Sequence, residues 1–165
     1  MPEIVFDSCV VSNFALSGAL PVLEKLYRGG AIITDFVWAE ILRGIQAGHS
    51  TLAGIPESVR AGWLKETGLQ SSEEKALFSG LSLSLGLGEA SSLAVAKCRG
   101  YRLASDDRVA RAEAARLSIS LTGTVGILVK AVRSGVCDTG TADVHLKKMI
   151  AAGFFSPVQS IQEHV

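Results

Sequence analysis

Two adjacent aspartates, Asp106 and Asp107, close the short run "YRLAS" and open an Arg- and Ala-rich stretch, "DDRVARAEAARL". Two carboxylates about 4 Å apart repel by roughly 4 kcal/mol at an effective dielectric of about 20, so something must offset them. A helix N-cap accounts for one of the pair, not both. Three further acids fall at comparable places: Asp7 after "EIVF", Glu89 after "GLG", and Glu40 inside "DFVWAEILRG". Singly, each has an ordinary role. Asp7 can cap a helix, Glu40 can pair with Arg43, and Glu89 suits the positive end of a helix macrodipole. Gathered in one crevice, they would be protonated or unfavourable unless a cation were bound. Carboxylate oxygens without clustered Cys or His suit Mg²⁺ or Mn²⁺ rather than Zn²⁺. The expected metal ligands are Asp7, Glu89, Asp106 and Asp107.

The elements that must position these acids are readable in outline. "EIVFD" (3–7), "AIIT" (31–34) and "YRLAS" (101–105) read as short buried strands, "SISLT" (118–122) as another, and Trp63–Thr67 as a further candidate. Helical spacing marks "LPVLEKLYRGG" (20–30), "DFVWAEILRGIQAG" (35–48) and "EASSLAVAKCRG" (89–100), the last closed by Gly100. Helices are also expected at 106–117, 123–135 and 141–153. The stretch "SSEEKALFSGLSLSLGLG" (71–88) is read as helix, although Leu81–Leu85 alternates like a strand. Strands alternating with helices predict an α/β fold, a three-layer α/β/α sandwich around a central, mostly parallel sheet. Right-handed crossovers would bring the strand ends carrying Asp7 and Asp106 to one edge, where open sheets bind ligands.

The 165 residues imply one domain, 1–165, with 141–165 a C-terminal helical extension. A hydrophobic fraction of 48% argues for a packed globule, and no apolar run reaches membrane-spanning length. The N-terminus lacks a basic leader and cleavage site, so a cytoplasmic location without membrane contact is expected. Cys9, Cys98 and Cys137 are isolated, and His49, His145 and His164 have no ligand spacing, which argues against disulfides and zinc. Formal net charge is zero, which counts against strong, unselective nucleic-acid binding. Lys97, Arg99, Arg102, Arg108, Arg111 and Arg116 nevertheless crowd near the aspartate pair in sequence, as a solvated helix face or a phosphate-steering rim.

The stretches "VFDSCVVSNFALSG" (5–18), "ITDFVWAEILRG" (33–44), "LGLGEASSLAVAKCRGYRLASDDRVAR" (85–111) and "LTGTVGILVKAVRSG" (121–135) follow one another in a familiar order. With the tail "AAGFFSP" (151–157), they make the chain resemble PIN-domain proteins of the small prokaryotic subgroup of predicted nucleic acid-binding, toxin-type ribonucleases. That resemblance implies metal-dependent hydrolysis of RNA phosphodiester bonds by an endoribonuclease. Asp7, Glu40, Glu89 and Asp107 would be its catalytic acids, Glu89 standing where many relatives carry Asp. Asp107 is the closer match to the family's fourth acid, in Ser105–Asp106–Asp107, with Asp106 a neighbour sharing the role. Ser8, Asn13 and Ser105 would support the acids. Arg102, Arg108 and Arg111 are expected, from charge and proximity, to hold RNA phosphates. A small antitoxin protein as partner is a further implication of the resemblance, and the apolar surfaces of "DVHLKKMIAAGFF" (143–155) and "VLEKLY" (22–27) are candidates for a homodimer contact or for receiving an antitoxin segment, or else for core burial.

Other readings fall away. "GLG" (86–88) lacks the third glycine and the preceding strand of a dinucleotide loop. "TGTVG" (122–126) is better read as a tight strand-to-helix turn than as a phosphate cradle. An aspartyl-phosphate enzyme would want a second aspartate where Cys9 stands, and a response-regulator receiver would carry its acidic pair near the N-terminus. The remaining rival is a PIN-like fold serving as a catalytically weak binding or interaction module, with only 6% aromatic residues for stacking on RNA.

Overall fold

The computed structural model describes residues 3–165; Met1 and Pro2, included in the expected domain, lie outside them. Five short strands form one all-parallel sheet: β1 (Ile4–Phe6), β2 (Ala31–Thr34), β3 (Leu64–Thr67), β4 (Arg102–Ala104) and β5 (Leu121–Thr122). Their order across the sheet is β3-β2-β1-β4-β5, which puts β1 at the centre. Register is tight, with Val5 opposite Ile32 on one side and Leu103 on the other.

Because side chains alternate along a strand, the sheet feeds two cores. Ile4, Phe6, Ile33 and Ala104 face one layer with Val10, Phe14, Leu23, Ile127 and Leu146. Val5 and Leu103 face the other with Leu93, Ala110 and Ile119. Nine α-helices among the described residues cover both faces: α1 (Ser8–Leu16), α2 (Leu20–Tyr27), α3 (Asp35–Gln46), α4 (Gly54–Arg60), α5 (Ser72–Leu81), α6 (Leu87–Arg99), α7 (Arg108–Arg116), α8 (Thr124–Arg133) and α9 (Thr139–Ala151). The architecture is the expected three-layer α/β/α sandwich. No helix among the described residues is long and apolar enough to cross a membrane.

Local chemistry sets the boundaries. Ser71 and Glu74 form a reciprocal capping box that starts α5, and the helix stops at Leu81 instead of running through 88. Beyond Leu81 the rest of the alternating segment, 82–85, is turn and bend, with Leu83 in solvent. Gly100 takes the left-handed conformation (φ 70°) that ends α6, where a Cβ would be strained. The expected strand 118–122 shortens to Leu121–Thr122. Ser118 sits at φ 57°, and the Ile119 N–H is spent on the Ala114 carbonyl closing α7. After α9 the chain returns across the sandwich, with Phe154 and Val158 packed against the core and Ile161 fully buried.

Candidate active site

Each strand of a parallel sheet points its C-terminal end the same way, and three of those ends carry the chemistry here. Asp7 follows β1, Ser105, Asp106 and Asp107 follow β4, and Thr124 follows β5. Glu40 comes from α3, and Glu89 from the first turn of α6. Asp7, Glu89, Asp106 and Asp107 line one open cavity of about 390 Å³, together with Phe154 and Phe155 of the C-terminal segment.

Asp7 is almost completely buried at 2% exposure. Its Oδ1 accepts from the Ser8 backbone N–H at 2.8 Å and its Oδ2 from the Ser105 hydroxyl at 2.9 Å, with the Cys9 thiol directed at Oδ2 from 3.7 Å. Burial pushes this carboxyl up from 3.8 to about 6; the Ser105 bond opposes the rise, and the charges of Glu89 and Glu40 add to it. Cys9 stays a thiol, pushed up to about 12 by burial and by Asp7. Glu89 is raised as well, first by partial burial and then by the nearby charges of Asp107 and Glu40.

Glu40 does not pair with Arg43. Its carboxylate lies over Gly88, where a Cβ would stand 2.5 Å from Oε1 and 2.7 Å from Oε2. Glycine at the start of α6 therefore lets the carboxylate approach the helix. Gly86 similarly leaves room for Glu89, whose Oε2 would be 2.5 Å from a Cβ there.

The aspartate pair divides its labour in a way not expected from the sequence. Asp107 is the N-cap of α7, its Oδ2 accepting from the Ala110 N–H at 2.8 Å. Asp106, expected as a metal ligand, has both oxygens engaged by protein: Oδ1 by the Thr124 N–H at 2.9 Å, Oδ2 by the Thr124 hydroxyl at 2.5 Å and by the Asn13 amide at 3.3 Å. It fastens the start of α8 to the end of β4. Asn13 thus supports the site through Asp106 and Thr124 (3.2 Å) rather than through Asp7.

The basic rim mostly dissolves. Arg102 sits at the opposite, N-terminal end of β4, in a small cavity with Glu3, Tyr27 and Lys130, so it cannot serve phosphates at the acids. Arg99 forks onto buried Glu74 (2.7 and 3.2 Å), which holds that carboxyl down to about 2, and donates to Thr67 and Gly68. Lys97 bonds the Leu117 carbonyl, and Arg116 pairs with Glu113. Arg111 donates to the Ser105 and Thr122 carbonyls, bracing the ends of β4 and β5, and lines a second cavity beside the first. Arg108 is exposed next to Asp107.

The donor chemistry fits a hard divalent cation: carboxylate oxygens, one of them on a buried Asp pressed by its neighbours, with Cys9 held neutral. Among the described residues, no three acidic, histidine or cysteine side chains converge on one point as they stand. Sequence reasoning missed Thr124 and Gly88, whose partners lie far away in the chain, and did not give Phe155 a place at the site.

An acid-lined crevice at the carboxyl edge of a five-stranded parallel sheet, under helices on both faces, defines a three-layer α/β/α domain whose site is built from carboxylates. Residues 3–165 match the family model described as PIN domain, and the chain belongs to that family. PIN domains are typically nucleases that bind nucleic acid and generally use divalent metal ions. No curated protein and no solved structure matches the chain.

Proposed function

We propose that the protein is a Mg²⁺- or Mn²⁺-dependent endoribonuclease. The observation that carries this reading is Asp7: a carboxyl at the end of the central strand, oriented by Ser8 and Ser105, and raised first by its burial and then by the charges of Glu89 and Glu40. Asp7 is the N-cap of α1, but capping alone does not require burying an acid among acids, which costs stability. Asp7, Glu89 and Asp107 are the residues that would hold the ion, with Glu40 closing the set behind Gly88. When bound, such an ion lowers the pKa of a water and stabilises the leaving oxygen of an in-line displacement.

The chain's own residues prepare for that. Ser105 and the Ser8 N–H fix the direction of the Asp7 oxygens, so that loss of its proton leaves a carboxylate already aimed. Asp106 takes no part in this binding; it sets the position of Asp107 and of α8 by holding Thr124. Arg108, exposed beside Asp107, is the cation placed to meet a flanking phosphate. The toxin role, with a small antitoxin partner, is supported by the resemblance of the sequence to that subgroup.

A second reading, a catalytically weak binding module, draws on the zero net charge and on acids that do not converge as they stand. Cleavage of a labelled RNA with Mn²⁺ separates the two. Activity that disappears in Asp7→Asn, with circular dichroism unchanged, supports the nuclease; equal cleavage by both chains, or none by either, leaves only the binding module.

A further inference from the structure

Phe155 is 99% exposed. The other exposed large apolar side chains among the described residues are leucines and valines, so this ring is the free aromatic face of the molecule. Its exposure is not fraying. Gly153 (φ 112°) turns the chain off α9, and the Phe154 N–H is bonded to the Met149 carbonyl at 3.0 Å. Phe154 and Val158 on either side pack against the core, and the Val158 N–H bonds the Ser156 hydroxyl. Three residues further on, the chain is pinned again by buried Ile161, whose N–H bonds Asp143 at 2.6 Å. An anchored backbone thus holds one phenyl ring out in water, against the apolar preference of the side chain.

Its position gives that exposure a use. Phe155 and Phe154 line both the acid cavity and the neighbouring cavity of about 370 Å³, and Asp106 lines both as well. The first cavity is also lined by Asp7, Glu89 and Asp107 and the second by Arg111, so residue 155 borders both. A folded duplex keeps its bases stacked inside, whereas a single strand offers free π-faces that stack on aromatic side chains with little regard to sequence.

We propose that Phe155 is a stacking platform for an unpaired base of single-stranded RNA, holding the strand where the acid cavity meets the Arg111 cavity. The inference rests on the nuclease reading for the identity of the strand, but stacking is measured without cleavage. A protein partner on the same ring is the competing occupant. The neutral chain has little electrostatic grip on RNA, so an aromatic contact would carry an unusual share of the affinity.

The test uses the full chain carrying Asp7→Asn, with fluorescence anisotropy of a labelled single-stranded RNA and of a duplex of the same sequence. Phe155→Ala is expected to weaken single-strand binding by about fivefold or more, Phe155→Trp to restore it, and duplex binding to change little. In the chain that retains Asp7, Phe155→Ala should raise KM and leave kcat near its original value. The proposal is overturned if Phe155→Ala binds the single strand normally, if tryptophan fails to restore binding, or if duplex and single strand weaken alike. A change in oligomeric state on size exclusion, with RNA binding intact, would also overturn it and assign the ring to a protein contact. Failure of Asp7 to support cleavage would sink the nuclease reading while leaving the anisotropy result standing.

Discussion

Asp106 reaches the Thr124 N–H at 2.9 Å and the Thr124 hydroxyl at 2.5 Å, so one carboxylate seals the first turn of α8 onto the end of β4. Hydrogen bonds to a charged acceptor contribute more than neutral ones, and this acceptor also takes the Asn13 amide. Asp106→Ala is expected to lower unfolding free energy by about 3 kcal/mol, read from urea denaturation. Asp107→Ala removes only a helix cap from the fold and should lose about 1 kcal/mol. Their effects on Mn²⁺ affinity, by calorimetry at matched folding, should run the other way. Asp107→Ala weakens binding strongly, and Asp106→Ala does so little. A larger affinity loss at Asp106 would return it to the ligand set.

Gly88 tests the acid cluster from the side of the backbone. Its φ lies in the ordinary helical range, so alanine there has no conformational penalty and gains helix propensity of about 1 kcal/mol. The new Cβ would meet the Glu40 carboxylate at 2.5 Å, and the flexible end of Glu40 must move aside. Gly88→Ala should therefore fold with stability unchanged or slightly raised. It should lose about a hundredfold in RNA cleavage, the scale on which small misplacements of reacting groups act. Unaltered cleavage in a well-folded Gly88→Ala would remove Glu40 from the working site.

The sequence and the structure part company according to how local each signal is. β1 and the acid after it were legible because an apolar run ending in Asp needs only its neighbours to be read. The same holds for α6 and its Gly100 stop. The hydrogen bonds of Asp106 are not legible in the sequence because its partners, Asn13 and Thr124, are 93 and 18 residues away. Arg102 was misjudged for the opposite reason. It is near Asp106 in sequence, but a strand advances about 3.3 Å per residue, which carries it to the far end of the sheet. Arg99 looked like part of a basic rim until its buried partner Glu74 could be seen. Phe155, in a tail of apolar residues, carried no mark distinguishing it from core-packed Phe154. Only the anchoring of its neighbours shows it held outside.

Asp7 makes stability depend on pH in an unusual sense for an aspartate. Its carboxyl is raised from 3.8 to about 6 in the folded chain, chiefly by burial, so the folded state holds the proton more tightly than the unfolded one. The contribution this makes is fully present below about pH 4, fades as pH rises through about 6, and is gone above pH 7. The difference of about two pKa steps corresponds to roughly 3 kcal/mol that ionised Asp7 costs the metal-free fold. With chelator present, Asp7→Asn is therefore expected to raise Tm at pH 8 and to leave it nearly unchanged at pH 4. Mn²⁺ should raise the Tm of the unsubstituted chain at pH 8, less so as the pH is lowered through 6 and protons compete for Asp7, and should have little effect on Asp7→Asn at either pH. Thermal unfolding followed by circular dichroism reads all of these arms. Asp7 is also the N-cap of α1, and an Asp7→Asn chain that is less stable at pH 8 without metal would mean that this cap outweighs the cost of burial, and that the burial is not a cost borne for the cation.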